Sequence, residues 1–150
     1  MATMDGSTTR YGLHDSIGHH ISRSARIVER RVEESLRKHG LTRVGWCILL
    51  AVEEDGQKNP SEIAGFVGID RTATSRALRQ LESDGLITRA MGVEDRRTTE
   101  VSLTEEGRAR MLKAMPLCTE NMSHFSSKLT REEEEQLKAL LSRLTAGEDD

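Results

Sequence analysis

Residues 59–103 read NPSEIAGFVGIDRTATSRALRQLESDGLITRAMGVEDRRTTEVSL, and the order of the punctuation in this stretch decides the fold. Asn59, Pro60 and Glu62 make a helix start: a side-chain cap, a proline at the first helical position, and a glutamate three residues after the cap. Gly68 breaks that helix, Ile69 can tuck inward, and Asp70 caps a second helix over residues 71–83. Asp84 and Gly85 end it. Residues 86–91 and 99–103 then read as a strand pair around the polar loop 92–98, which carries Arg96 and Arg97 side by side. Helix, turn, helix and hairpin are therefore expected in direct succession.

The second helix carries two faces with different chemistry. Ala73, Ala77, Leu78 and Leu81 form a narrow apolar stripe for docking on the rest of the domain. Arg71, Thr72, Thr74, Ser75, Arg76 and Arg79 supply donors and methyl groups of the kind that read a major groove. There an arginine can bond a guanine through two parallel hydrogen bonds, and a threonine methyl can touch thymine. A solvated helix face would explain the charge of this helix alone. The adjacent basic loop, with Arg96 and Arg97, turns the reading toward duplex DNA.

Four fragments of this region, Ser61-Glu62-Ile63-Ala64, residues 81–89, Asp95-Arg96-Arg97 and residues 103–107, together resemble the winged helix-turn-helix of the multiple-antibiotic-resistance regulator (MarR) family. The resemblance extends over roughly residues 15–146. It implies a mainly α fold with a small β-hairpin wing, built as a homodimer through long N- and C-terminal helices. It also implies a recognition helix in each major groove, Arg97 in the flanking minor groove, and Asp95 shaping the wing by pairing with a neighbouring arginine. The chain then reads as one domain over 1–150, with a DNA-binding region at 42–103 and dimerisation helices at 15–38 and 104–146.

The flanking segments have their own helical pattern. Ile17, Ile21, Ala25, Val28, Val32 and Leu36 advance by three or four along an amphipathic helix ended by Gly40, and a second helix follows over 42–54. After the wing, Thr104 caps a long helix with Leu112, Met115, Cys118, Met122, Phe125 and Leu129 as its stripe. Pro116 is expected to kink or split that helix, since an interior proline costs about 3 kcal/mol. Thr130 and Glu133 make a capping box for a last helix with Leu137, Leu140, Leu141 and Leu144 on its inner side. These stripes exceed what the reading head can cover, so a twofold partner is expected, and with it an operator of inverted half-sites.

Composition fits this scheme. Hydrophobic residues make up 35% of the 150-residue chain and charged residues 31%, a balance of folded rather than disordered proteins. The formal net charge is −3, yet it is polarised. Residues 71–98 hold six arginines against four acids, while residues 119–150 hold eight acids against four bases. No apolar run is long enough to span a bilayer and the start lacks a signal-peptide core, so no membrane association and a cytoplasmic location are expected. The first fifteen and last four residues are expected to be mobile.

The function implied by the resemblance is a sequence-specific transcriptional regulator, a repressor of pseudo-palindromic operators released by a small ligand such as a phenolic or aromatic acid. His20 and Arg23 could supply donors for its carboxylate and Trp46 and Met115 an apolar lining. Two rival sensing modes use other residues. His14, His19 and His20 with His124 or an acidic residue could hold zinc, although His19 and His20 diverge by about 100° on a helix. Cys47 and Cys118 could be oxidised, although both lie on apolar stripes where thiolates are disfavoured. No resident metal or cofactor is expected. An enzyme would need a reactive group with an orienting partner, and no nucleophile elbow, glycine-rich phosphate loop or H-E-x-x-H pattern is present. A winged protein-interaction module would favour exposed aromatics, of which this chain has few.

Overall fold

A computed structural model describes residues 11–148. Of the ends expected to be mobile, residues 1–10 and 149–150 lie outside the described residues, whereas Leu13–Asp15 forms one turn of 3₁₀ helix. The helices are α1 (Ile17–Arg37), α2 (Arg43–Glu53), α3 (Pro60–Val67), α4 (Arg71–Ser83), α5 (Glu105–Ser126) and α6 (Arg131–Leu144). The strands β1 (Ile87–Met91) and β2 (Thr99–Leu103) lie between α4 and α5.

Side-chain caps set the helix starts. Ser16, Thr42, Asn59, Asp70, Thr104 and Thr130 each accept a hydrogen bond from an amide in the first turn of the helix that follows. Thr130 and Glu133 complete the expected capping box. Gly68 adopts φ +77° at the end of α3, a conformation that frees the chain to turn at once into α4.

The hairpin is antiparallel, with Ile87 opposite Leu103 and Met91 opposite Thr99. The loop before α3 adds to its edge, because the Val101 amide donates to the Lys58 carbonyl at 2.7 Å. Leu36, Leu41, Ile48, Leu49, Ile63, Leu78, Leu81, Leu86, Ile87 and Met111 share one core. That core joins the end of α1, the helix-turn-helix, the hairpin and the first turns of α5. Gly107 makes the tightest seam in it. A Cβ there would collide with the Leu86 carbonyl, so only glycine lets α5 sit on the α4–β1 corner.

One expectation is narrowed and one corrected. Of a kink or a split at Pro116, the split is ruled out, because α5 runs unbroken from Glu105 to Ser126. The proline withdraws a single N–H from the ladder and its side chain is exposed, so the bonds on either side continue the helix. The buried face of α5 also differs from the stripe read in the sequence. Gly107, Met111, Ala114 and Asn121 are buried, while Leu112 and Met122 are exposed.

Among the described residues, α1 and α6 carry exposed apolar side chains. In α6, Leu137, Leu140, Leu141 and Leu144 are 41–50% exposed in the single chain, so the inner side read for this helix has no cover from the chain's own described residues. Ile17, Ile21 and Val28 of α1 are exposed as well. α1 runs antiparallel to α5: Arg31 bonds Glu120 at 3.0 Å and Asn121 at 3.1 Å, whereas Lys38 lies near Arg110.

Candidate nucleic-acid interface

α4 is held by its inner face and free on its outer one. Leu78 and Leu81 are buried, while Arg71, Thr72, Ser75, Arg76 and Arg79 are exposed. Thr74 corrects the sequence reading. It is 1% exposed, and its hydroxyl donates to the Asp70 carbonyl at 2.8 Å. The back-bonded hydroxyl satisfies its donor inside the helix, so the side chain packs in the core and offers nothing to a groove.

The six arginines of residues 71–98 divide cleanly. Arg89 clamps Glu82 through two bonds, Nε–Oε2 at 3.2 Å and Nη2–Oε1 at 2.9 Å, and so ties β1 to α4. That guanidinium holds the Glu82 carboxyl below its usual range. Arg71, Arg76, Arg79, Arg96 and Arg97 form no ion pair among the described residues. They are cations without internal anions, on the outer face of α4 and at the tip of the hairpin.

The hairpin tip is shaped by backbone contacts. Asp95 Oδ1 accepts from the Arg97 amide at 2.9 Å, and the Asp95 carbonyl accepts from both the amide and the hydroxyl of Thr98. Asp95 therefore shapes the wing, but its partner is the backbone amide of Arg97 rather than a guanidinium. This leaves the Arg97 side chain free. Gly92 is buried because the loop folds over it, and a Cβ there would press on Asp95 and Thr98.

Sequence reasoning missed Ser61. A cavity of about 230 Å³ between the first turns of α3 and α4 is lined by Pro60, Ser61, Arg71, Thr74 and Ser75. It combines amides at a helix start, two hydroxyl-bearing exposed residues and a guanidinium, a set suited to a phosphate oxygen. The signal was available in principle, since a small polar residue in the first turn after a proline points along the free amides.

The four residues read as effector ligands do not meet within one chain. Trp46 packs toward the core and donates from Nε1 to the Met111 carbonyl at 3.2 Å, with Met115 one turn further along α5. Arg23 lies eight residues before Arg31, the residue that touches Glu120, so at 1.5 Å per residue it stands about 12 Å farther along α1. His20 is exposed and donates to the His14 carbonyl at 2.6 Å.

The alternative sensing residues are also placed. His14 and His19 meet edge to face at 5.0 Å between ring centroids, and His19 and His20 at 6.1 Å. Burial, followed by the charges of His14, His20, Arg23 and Arg26, lowers the His19 pKa. Among the described residues no group of three His, Cys, Asp or Glu side chains is arranged to hold a metal ion. Cys47 and Cys118 are half-buried. Burial pushes the Cys118 thiol up to about 11, helped by Cys47. Burial also raises Cys47 against the pull of Arg43, whose Nη1 lies 4.0 Å from the sulfur. Both are mainly thiols near neutrality, the unreactive form. No helix among the described residues is long and apolar enough to cross a membrane.

Comparison with known proteins places this geometry. Residues 41–99 match the model of the MarR family. A relative in Bacillus subtilis, the uncharacterized HTH-type transcriptional regulator YwoH, is 31% identical over 88 residues, or 59% of this chain. The chain spans 64% of that relative's length. The transcriptional regulator MosR of M. tuberculosis, solved in complex with DNA, superposes with a TM-score of 0.74 at 26% identity, covering 87% of this chain and 96% of that one. CouR of Rhodococcus jostii, solved bound to p-coumaroyl-CoA, gives 0.78 at 25% identity, covering 92% and 97%.

Proposed function

Because residues 41–99 match the model of the MarR family, we propose that the chain is a homodimeric, sequence-specific regulator of transcription of that family that acts in the cytoplasm. One observation carries the reading: five arginines on the outer face of α4 and the hairpin tip have no carboxylate partner among the described residues. A single exposed arginine is ordinarily solvated, so the weight lies in the gathering of these five on α4 and the hairpin tip, in contrast to Arg89, which pairs with Glu82 inside the fold. A set left open on the outer face of α4 and at the hairpin tip is matched by a polyphosphate backbone.

In this reading α4 enters the major groove and presents Arg71, Thr72, Ser75, Arg76 and Arg79. Arg96 and Arg97 reach the neighbouring minor groove. Ser61 and Arg71 grip the backbone between them. The helices over 15–38 and 104–146 pair with their copies around the reading head at 42–103, which sets two copies of α4 on one face of the dimer, either side of the twofold axis. The operator is then pseudo-palindromic, with half-sites about one helical turn apart.

The protein acts as a repressor, and a small aromatic or phenolic acid releases it by changing the separation of the two α4 helices. MosR supports the DNA half of this reading, being a neighbour solved with DNA. CouR, solved with an aromatic acyl thioester, supports the ligand half. Because His20 and Arg23 lie far from Trp46 and Met115 in one chain, the effector crevice is completed only in the dimer, with the start of α1 contributed by the partner.

Anisotropy titration of promoter fragments from neighbouring genes at several salt concentrations tests the proposal. Saturable binding that weakens steeply with salt, and weakens further with a panel of benzoic and phenolic acids, is the expected result. Failure to bind any duplex in dilute buffer removes the regulator reading in favour of a protein-interaction module. Binding indifferent to the acid panel removes only the ligand half.

A further inference from the structure

The first turns of α5 have two opposed faces. One is bolted to the reading head by Gly107 against Leu86, by Arg108 on Glu53, and by the Met111 carbonyl under the Trp46 indole. The other repeats Glu106, Ala109, Arg110 and Lys113 at helical spacing. Across from it the chain leaves α1 through Lys38, His39 and Gly40. These seven residues line an open cavity of about 540 Å³, within the range of about 300–1,000 Å³ typical of small-molecule sites.

The charge of this cavity is unbalanced. Lys38, Arg110 and Lys113 stand against one carboxylate, Glu106, which pairs with Arg110 at 3.0 Å. Lys38 and Lys113 have no ion pair among the described residues, so the rim keeps two uncompensated positive charges. The backbone favours approach as well. Gly40, at φ +68°, has no side chain, and a Cβ there would lie 3.1 Å from Arg110 Nη1. The guanidinium thus rests against bare backbone at Gly40 while its Nη2 holds Glu106. Like charges collected around one rim repel unless an anion joins them. Two unpaired ammonium groups beside a guanidinium that keeps donors beyond its bond to Glu106 match an oxyanion of more than one negative charge.

We propose that the cavity between the end of α1 and the first turns of α5 binds a small multivalent oxyanion, held by Lys38, Arg110 and Lys113. The site is separate from the DNA face of α4 and from the residues read as effector ligands, and it does not depend on the regulator reading. An anion there would bridge the end of α1 to the first turns of α5.

The test is nuclear magnetic resonance titration of the full chain without DNA, using inorganic pyrophosphate and citrate as probes at matched ionic strength. Saturable shifts of the Gly40, Ala109 and Lys113 amides are expected. Lys38→Gln and Lys113→Gln should each weaken the affinity about tenfold or more, the size of one lost charge-assisted contact. Response to pyrophosphate alone narrows the ligand to phosphates, and response to citrate alone narrows it to polycarboxylates. Three results overturn the proposal: no saturable shift with either probe, shifts confined to α4 and the hairpin tip, or shifts that both lysine variants retain unchanged. Because no duplex is present, loss of this site leaves the regulator reading standing, and shifts confined to α4 would overturn the site while agreeing with that reading.

Discussion

Arg76 and Arg97 are both exposed arginines without internal partners, yet the proposed interface gives them different work. A recognition-helix arginine reads a base edge, so Arg76→Ala should cost about 1–3 kcal/mol and relax preference at one base pair. An arginine at the hairpin tip acts mainly through charge. Arg97→Ala should weaken binding across sequences and flatten the dependence of log K on log salt by about one contact. Anisotropy titrations on an operator and its single-base variants separate the two roles, and wild-type behaviour in both variants would overturn the assignment. Gly107 makes a prediction of another kind. Any Cβ there meets the Leu86 carbonyl, so Gly107→Ala should destabilise the fold by about 1–3 kcal/mol in urea denaturation, far more than Gly65→Ala, whose surroundings are open.

At the scale of elements, two exposed ion pairs join neighbours that must move together. Glu82 and Arg89 tie α4 to β1, and Glu53 and Arg108 tie α2 to α5. Bonds from the arginines lower the pKa of both carboxyls below 4.5 in the folded protein. A lowered folded pKa means that the contribution is fully present above the unfolded value of 4.5 and is lost as pH falls through the lower folded value. The thermal midpoint of the wild type should therefore drop as pH falls below 4.5. In Glu53→Gln and Glu82→Gln that drop should be shallower, which calorimetry across the acid range would show. An unchanged slope in the double variant would mean that solvent screens both pairs into insignificance.

At the scale of the molecule, the apolar faces of α1 and α6 govern behaviour. Four leucines of α6 stand 41–50% exposed in the single chain. A contiguous apolar face on a soluble protein marks an interaction surface, and a second copy is the proposed occupant. Leu137→Glu with Leu141→Glu should convert a sedimenting dimer into a monomer and weaken operator binding well beyond tenfold, because two half-sites must be held at once. Each monomer should keep its helical content, since neither residue touches the core. A wild-type chain that sediments as a monomer at micromolar concentration would remove the twofold arrangement.

Local chemistry determined much of this protein. Caps at Asn59, Asp70, Thr104 and Thr130, the break at Gly68 and the stop at Asp84-Gly85 are short-range signals, so the helices and the hairpin were legible in residue order alone. The outward face of α4 was equally legible, apart from Thr74. Its hydroxyl looked available in sequence, and only packing showed that it bonds back to Asp70 and faces the core. Tertiary structure alone decided which side of α5 is buried, since that depends on where Leu86 and Trp46 approach it. Tertiary structure also parted Arg23 from Trp46 and brought Lys38 beside Lys113, which lie far apart in sequence. Spacing along a chain fixes what neighbouring residues can do together; packing fixes which distant residues become neighbours, and no short-range pattern encodes that.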